Sequence, residues 1–272
     1  MNIPNAEYAI IGGSSTFAVD FPECCLSDQI EIINKNIFFS TPFGQSPLFT
    51  IFNLSKEPIL TCKMHGWRRG VDRALASKQI FWVFKEAGIK NILVEGGVGS
   101  INTLFHPKDL IIPHDYIDFS SRRSVNLTED YLLIMRDPFC SDLRNALKKS
   151  AQKFLPERNL FTEGVYSNTD GRHFESRAEI KMMSICGANV VGQSICPEVY
   201  LAREIGSCYA GIYMIVNYAE GVIKDWDYDE FKNIFTTEGV NIARVLIDAL
   251  NILLYEKKHC KCQELRRITL LK

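Results

Sequence analysis

The 272-residue chain has a hydrophobic share of 46%, enough for one large α/β core or two small ones, and a single domain is the simpler reading. Its 31 basic and 32 acidic residues leave a net charge of −1, so electrostatics give no case for a nucleic-acid or membrane partner and favour a small neutral or singly charged ligand. No apolar run reaches the roughly 18 residues of a membrane span, and the start "MNIPNAEYAI" lacks the basic-then-apolar layout of a secretory signal. The expectation is a soluble, cytoplasmic protein.

In chain order, "EYAIIGGSS" predicts a buried strand ending in a Gly-Gly-Ser-Ser turn, and "PLFTIFNL" and "PILTCKMHG" predict further strands separated by turn residues. "GVDRALASKQIFWVFKEAG" carries apolar residues at helical spacing and stops at Gly88. "KNILVEGGVGSI" predicts an apolar strand running into a glycine-rich turn. "SDLRNALKKSAQKF" and "ESRAEIKMMSICG" predict helices, "ANVVGQS" a short strand, "PEVYLAREIG" a helix opened by Pro197, and "SCYAGIYMIVNYA" a long buried strand. A last helix fits "YDEFKNIFTTEGVNIARVLIDALNILLYEKK", with a break expected near Gly239. Alternating strands and helices predict an α/β single domain over 1–256, with a mostly parallel, twisted central mixed sheet flanked by helices, followed by a basic tail over 257–272.

The nine cysteines are scattered, mostly inside apolar runs such as "MMSICGA", and read as buried thiols rather than a disulfide framework. "HCKC" places Cys260 and Cys262 in the basic tail. A Cys-x-Cys pair without a second ligand pair falls short of a metal site, so these two read as exposed free thiols and no metal is expected.

Ligands of parallel α/β sheets sit beyond the carboxyl ends of the strands. Four strand ends are rich in small or polar residues: Gly12 to Ser15, Met64 to Gly66, Glu95 to Ser100, and Gly192 to Ser194. Glycines there let backbone N–H groups approach an anion, and the hydroxyls of Ser14 and Ser194 add donors. Each turn taken alone is equally a tight turn with no ligand.

Taken together and in order, "IIGGSS", "TPFGQSP", the "HG" at His65, "EGGVGSI", "HPKDLIIPHDYIDF", "DGRHFESRAE" and "CPEVYLAREIGSCYAGIYMIVNYA" resemble the methylthioadenosine phosphorylase branch of the purine nucleoside phosphorylase family, over most of the chain. The resemblance implies a homotrimeric pentosyltransferase of purine salvage. Such an enzyme cleaves the purine–ribose bond with phosphate as nucleophile and co-substrate, through an oxocarbenium-like transition state and without cofactor or metal. It further implies that Ser14, His65, the backbone N–H of Gly97 and Ser194 bind phosphate, with Ser194 bridging to ribose. Phe174 would pack on the base, Gln193 would lie under the ribose where the family has methionine, and Asn217 would face the purine in place of an aspartate. His65, Ser194 and Asn217 are the implied catalytic groups.

The departures are informative. Met64 stands where the family has a phosphate-binding arginine and Gly96 where it has a threonine, a loss of roughly one to three kcal/mol for each charge-assisted bond. Lys63, Arg68 and Arg69 are candidates to restore the charge, or simply a solvated basic turn. Glu95 is a candidate base for water, which would make the protein a nucleoside hydrolase, or a carboxylate paired with a nearby cation. Arg172 and His173 replace the family's Pro-Arg and either touch ligand or rebuild a surface loop. An asparagine at 217 donates with one atom and accepts with the other, and with Ala219 in place of a second aspartate it favours a 6-oxopurine or another, modified or 5′-substituted, nucleoside over adenine, or else it is simply a turn residue at the end of a strand. Loss of catalysis with retained nucleoside binding is the remaining alternative. Tyr116, Phe119, Trp226 and Tyr228, in segments that read as loops, are candidate interface aromatics or caps on the protein's own core.

Overall fold

The computed structural model describes residues 2–25 and 27–270. In chain order the strands are β1 (Tyr8–Ile11), β2 (Ile30–Ile37), β3 (Ser40–Thr41), β4 (Gly44–Gln45), β5 (Phe49–Leu54), β6 (Glu57–Cys62), β7 (Asn91–Ser100), β8 (Leu110–Ile111), β9 (Asp115–Asp118), β10 (Tyr131–Leu133), β11 (Leu160–Phe161), β12 (Val165–Asn168), β13 (Val190–Gly192), β14 (Cys208–Tyr218) and β15 (Arg266–Ile268). The helices are α1 (Ser14–Phe17), α2 (Arg73–Ala87), α3 (Ser141–Phe154), α4 (Arg177–Ile185), α5 (Ile195–Ile205) and α6 (Tyr228–Tyr255).

Eleven strands form one mixed sheet in the order β11-β8-β14-β7-β1-β6-β5-β2, with β13, β12 and β9 branching from β7. Its centre is parallel: β1 pairs with β6 and with β7, and β7 with β14. The side chains of β14 sort by alternation, as a strand buried on both faces requires. Ala210, Ile212, Met214 and Val216 pack with α3 and α6. Tyr209, Tyr213 and Ile215 pack with α2 and α5.

Local chemistry sets the helix ends. Asp72 caps α2 by accepting from the N–H groups of Ala74 (2.8 Å) and Leu75 (3.3 Å), and the helix stops at Gly88 in left-handed conformation (φ 80°) as expected. Helix α4 starts at Arg177, two residues later than its apolar pattern suggests, because Ser176 and Glu179 form a reciprocal capping box.

Two expectations are corrected. The segment "EGGVGS" is strand, not turn: β14 pairs with it as far as Ser100, and the glycines make room for neighbours. A Cβ at Gly97 would lie 2.7 Å from the ring of Phe235, and one at Gly96 3.2 Å from that of Tyr213. Helix α6 runs unbroken through Gly239, where a Cβ would sit 2.7 Å from the carbonyl oxygen of Ser15, so this glycine serves close approach rather than a bend. Beyond α6, β15 pairs antiparallel with β10. No described helix is long and apolar enough to cross a membrane.

Candidate active site

Strand β7 changes partners along one edge. It pairs with β1 as far as Val94 and with β13 only from Gly99, while β14 occupies its other edge throughout. The interval from Glu95 to Val98 therefore has no ladder partner on one side. A cleft of about 240 Å³ opens there, at a switch point of the sheet.

Its wall carries Ser14, Met64, His65, Gly96, Gly97, Phe174, Gln193, Ser194, Asn217 and Ala219, so these sequence-separated positions converge on one space. Glu95 is not on that wall. Its fully buried carboxylate accepts from the N–H groups of Gly13 (2.5 Å), Ser15 (3.3 Å) and Thr16 (2.9 Å) and from the hydroxyl of Thr16 (2.8 Å). A carboxylate so engaged orders the glycine turn that presents Ser14. It is neither the base for water nor the partner of a Lys or Arg that the sequence suggested.

His65 sits in a turn where Met64 (φ 50°), His65 (φ 52°) and Gly66 (φ 67°) are all left-handed, a conformation costing roughly 1 kcal/mol or more for each of the two non-glycine residues. The turn is held by the His65 N–H donating to the carbonyl of Gly12 (2.9 Å). The ring Nδ1 lies 2.8 Å from Oε1 of buried Glu198, whose other oxygen accepts from the Tyr209 hydroxyl (2.9 Å). Burial, and after it the charge of Glu198, pushes the Tyr209 hydroxyl well up, so it remains a donor. With Nδ1 committed, Nε2 is the ring nitrogen left for a ligand.

Ser194 caps α5, whose regular turns begin at Pro197 after a non-helical Cys196. Its N–H reaches the Tyr166 hydroxyl at 3.4 Å, and its Oγ lies 3.3 Å from the same oxygen. Burial pushes the Tyr166 hydroxyl up, so it can donate to Ser194 Oγ and leave the serine proton for the cleft. Gln193 is tied down: its Oε1 accepts from Arg73 (2.8 Å) and its Nε2 donates to the carbonyl of His173 (3.1 Å). Burial, with the like charges of Arg122 and Arg172 adding, draws Arg73 down to about 10. Asn217 follows a register shift between β14 and β7, and its Nδ2 donates to the carbonyl of Tyr218 (2.7 Å).

Lys63, Arg68 and Arg69 do not supply the missing charge. Lys63 donates to the carbonyl of Val19, Arg68 binds the carbonyls of Gly66 and Gln45 and the amide of Gln79, and Arg69 is exposed. Among the described residues, His65 is the basic side chain on the wall. Arg172 and His173 lie off the wall, Arg172 lining a separate polar cleft with Arg73, Arg122 and Asp170.

Several wall residues escaped sequence reasoning. Phe231 and Phe235, four residues apart on α6, form an aromatic mouth with Trp226 and Phe174, whose ring meets that of Trp226 at 4.8 Å. Their helical spacing was the available signal. Glu175 lies inside "HFESRAE". Its carboxylate, on a residue only 5% exposed, accepts from the Thr169 hydroxyl (2.5 Å) through Oε1, which leaves Oε2. Of the aromatics expected in loops, Tyr116 lies in β9 and packs on Phe139 and Tyr200 within its own chain, Phe119 packs against a core cluster, and Tyr228 opens α6 and is exposed.

Comparison with known proteins agrees with this arrangement. The family model described as Phosphorylase superfamily matches residues 7–251. A probable S-methyl-5′-thioinosine phosphorylase of Methanothermobacter thermautotrophicus is 31% identical over 84% of this chain and 80% of its own. A 6-oxopurine nucleoside phosphorylase of Pyrococcus furiosus is 28% identical over 94% of this chain and 96% of its own. The crystal structure of a methylthioadenosine phosphorylase from an Antarctic soil metagenomic library superposes with a TM-score of 0.81 at 20% identity, covering 96% of this chain and 91% of that one, and so shares its fold. With the sheet, the switch-point cleft and the family model in agreement, the chain belongs to the phosphorylase superfamily, as a nucleoside phosphorylase-like enzyme.

Proposed function

We propose that the protein splits the N-glycosidic bond of a 6-oxopurine nucleoside by phosphorolysis. One observation carries the choice of base: the cleft holds the partly uncommitted carboxylate of Glu175 together with the amide of Asn217. A carboxylate oxygen accepts the N1–H that a 6-oxopurine has and faces repulsion from the lone pair that adenine has there. The amide donates to O6 or N7. The relatives described as 6-oxopurine and thioinosine phosphorylases support the same choice.

In this reading phosphate sits between Ser14, His65 Nε2, the backbone at Gly96 and Gly97, and Ser194, beneath the anomeric carbon. As the bond to N9 lengthens, its electron pair passes to the purine, where the Asn217 amide stabilises the growing charge. A phosphate oxygen then bonds to the anomeric carbon, giving free base and sugar 1-phosphate. With one imidazole and no guanidinium on the wall among the described residues, phosphate affinity should be modest. The apolar mouth of Phe174, Trp226 and Phe231 excludes water from the base.

The test is base release from inosine, guanosine and S-methyl-5′-thioinosine against adenosine and 5′-methylthioadenosine, with and without phosphate. Phosphate-dependent release favouring the 6-oxo substrates is expected, with Ser194→Ala slowing it about 10- to 100-fold, equivalent to one lost hydrogen bond to an anion of about 1.4–2.7 kcal/mol. Unchanged release of free sugar in phosphate-free buffer, or a preference for the 6-amino substrates, would contradict the proposal.

A further inference from the structure

Off the cleft wall, the free thiols of Cys140, Cys208, Cys260 and Cys262 gather into one cluster, with all four sulfur atoms within 4.8 Å of one another. The Cys-x-Cys pair is therefore neither exposed nor alone. Cys262 is buried and Cys260 half-buried, and the second pair is Cys140, at the N-cap of α3, and Cys208, the first residue of β14. None of the four lines the nucleoside cleft.

We infer that these four cysteines form a structural tetrathiolate site for a divalent metal of the zinc class. Tetrahedral zinc with bonds of about 2.3 Å sets its sulfur ligands about 3.8 Å apart. The Cys208 and Cys260 sulfurs stand 3.4 Å apart, well beyond the roughly 2.05 Å of a disulfide. Small adjustments of the thiol rotamers suffice to take up the metal. The backbone that carries the ligands is pinned independently. Asp142 accepts from the N–H groups of His259 (2.7 Å) and Cys260 (2.9 Å), and the N–H of Cys140 donates to the carbonyl of Tyr209 (2.9 Å).

A second observation points to an anionic centre here. Arg203 is 3% exposed, and its guanidinium donates to the carbonyls of Cys262 (3.2 Å), Asp137 (2.7 Å) and Pro138 (3.4 Å). Among the described residues it forms no ion pair, although a buried charge ordinarily has a counterion. Binding releases four thiol protons and leaves the metal with its four thiolates at a net charge of −2, which this guanidinium would offset. No redox step is involved. Four protein ligands leave no open position, so the metal would staple the C-terminal segment to the first residue of β14 and to the start of α3 rather than take part in chemistry.

The test is metal analysis of the full chain purified under reducing conditions with zinc supplied, together with the visible spectrum of the cobalt-exchanged protein. About one zinc per chain, and the intense charge-transfer and tetrahedral bands of a cobalt tetrathiolate, are expected. Cys260→Ser/Cys262→Ser should abolish both, whereas Cys186→Ser, at an exposed thiol outside the cluster, should change neither. Folded wild-type protein that holds no metal overturns the inference, whether its intact mass shows four free thiols or the loss of hydrogens that marks disulfides. Nucleoside turnover is not the readout, so either result leaves the proposed activity to its own test.

Discussion

Asn217 reaches the cleft because β14 slips against β7 between Ile215 and Asn217, and a bulge of this kind re-aims the side chain that follows it. Its amide, on the cleft wall, has both a donor and an acceptor to offer a purine edge. Asn217→Asp replaces that donor with an acceptor and sets a carboxylate against the Tyr218 carbonyl. The expected outcome is a loss of about 10- to 100-fold in kcat/KM for inosine, the value of one or two hydrogen bonds at about 1.4–2.7 kcal/mol, with a rise in the adenosine-to-inosine ratio. Parallel assays on the two nucleosides check it, and an unchanged ratio would remove Asn217 from base recognition. At this scale the sequence was legible in position: His65, Phe174 and Ser194, far apart in the chain, line one cleft. Glu175 was opaque, because a glutamate in a motif says nothing of which oxygen Thr169 occupies.

At the scale of elements, the turn before α1 has no helix long enough to hold it and depends on a side chain from another strand. Glu95 supplies four hydrogen bonds to that turn from the middle of β7. Glu95→Ala strands three backbone N–H groups and a hydroxyl in a site closed to water, and a destabilisation of about 3–5 kcal/mol follows. Thermal or denaturant unfolding measures it. A loss under about 1 kcal/mol would mean the turn is held by something else. The apolar periods of α2, α3 and the long strand β14 were readable from sequence, since burial repeats with the period of each element. The glycines of "EGGVGS" misled because glycine most often marks a turn. Here it marks a strand pressed by Tyr213 and Phe235, which only the folded arrangement reveals.

For the whole molecule, the expected assembly is a homotrimer, with a neighbouring subunit closing the 5′ end of the nucleoside. Phe174, on the cleft wall, is itself 44% exposed to solvent. Light scattering at micromolar concentration should give three times the 31.0 kDa chain mass. A fully active monomer would refute the assembly and place the 5′ contacts within one chain. Long-range pairings were the least legible part of the chain. Nothing in the spacing of Cys140 and Cys208 announces that they meet the Cys-x-Cys pair, just as nothing local announces that Glu198 meets His65.

Helix α6, at 28 residues about 42 Å long, touches both halves of the reaction. Near its start Phe231 and Phe235 line the cleft, and at Gly239 it rests on the carbonyl of Ser15, the neighbour of Ser14 on the cleft wall. A single helix thus borders both ends of the cleft, the proposed seats of base and phosphate. On the proposed reading, a base seated against Phe231 and Phe235 bears on the same helix that backs the turn carrying Ser14. The expected consequence is that the two ligands are thermodynamically linked without touching, each tightening the other's binding by the same factor, which titration of one in the presence and absence of the other would measure.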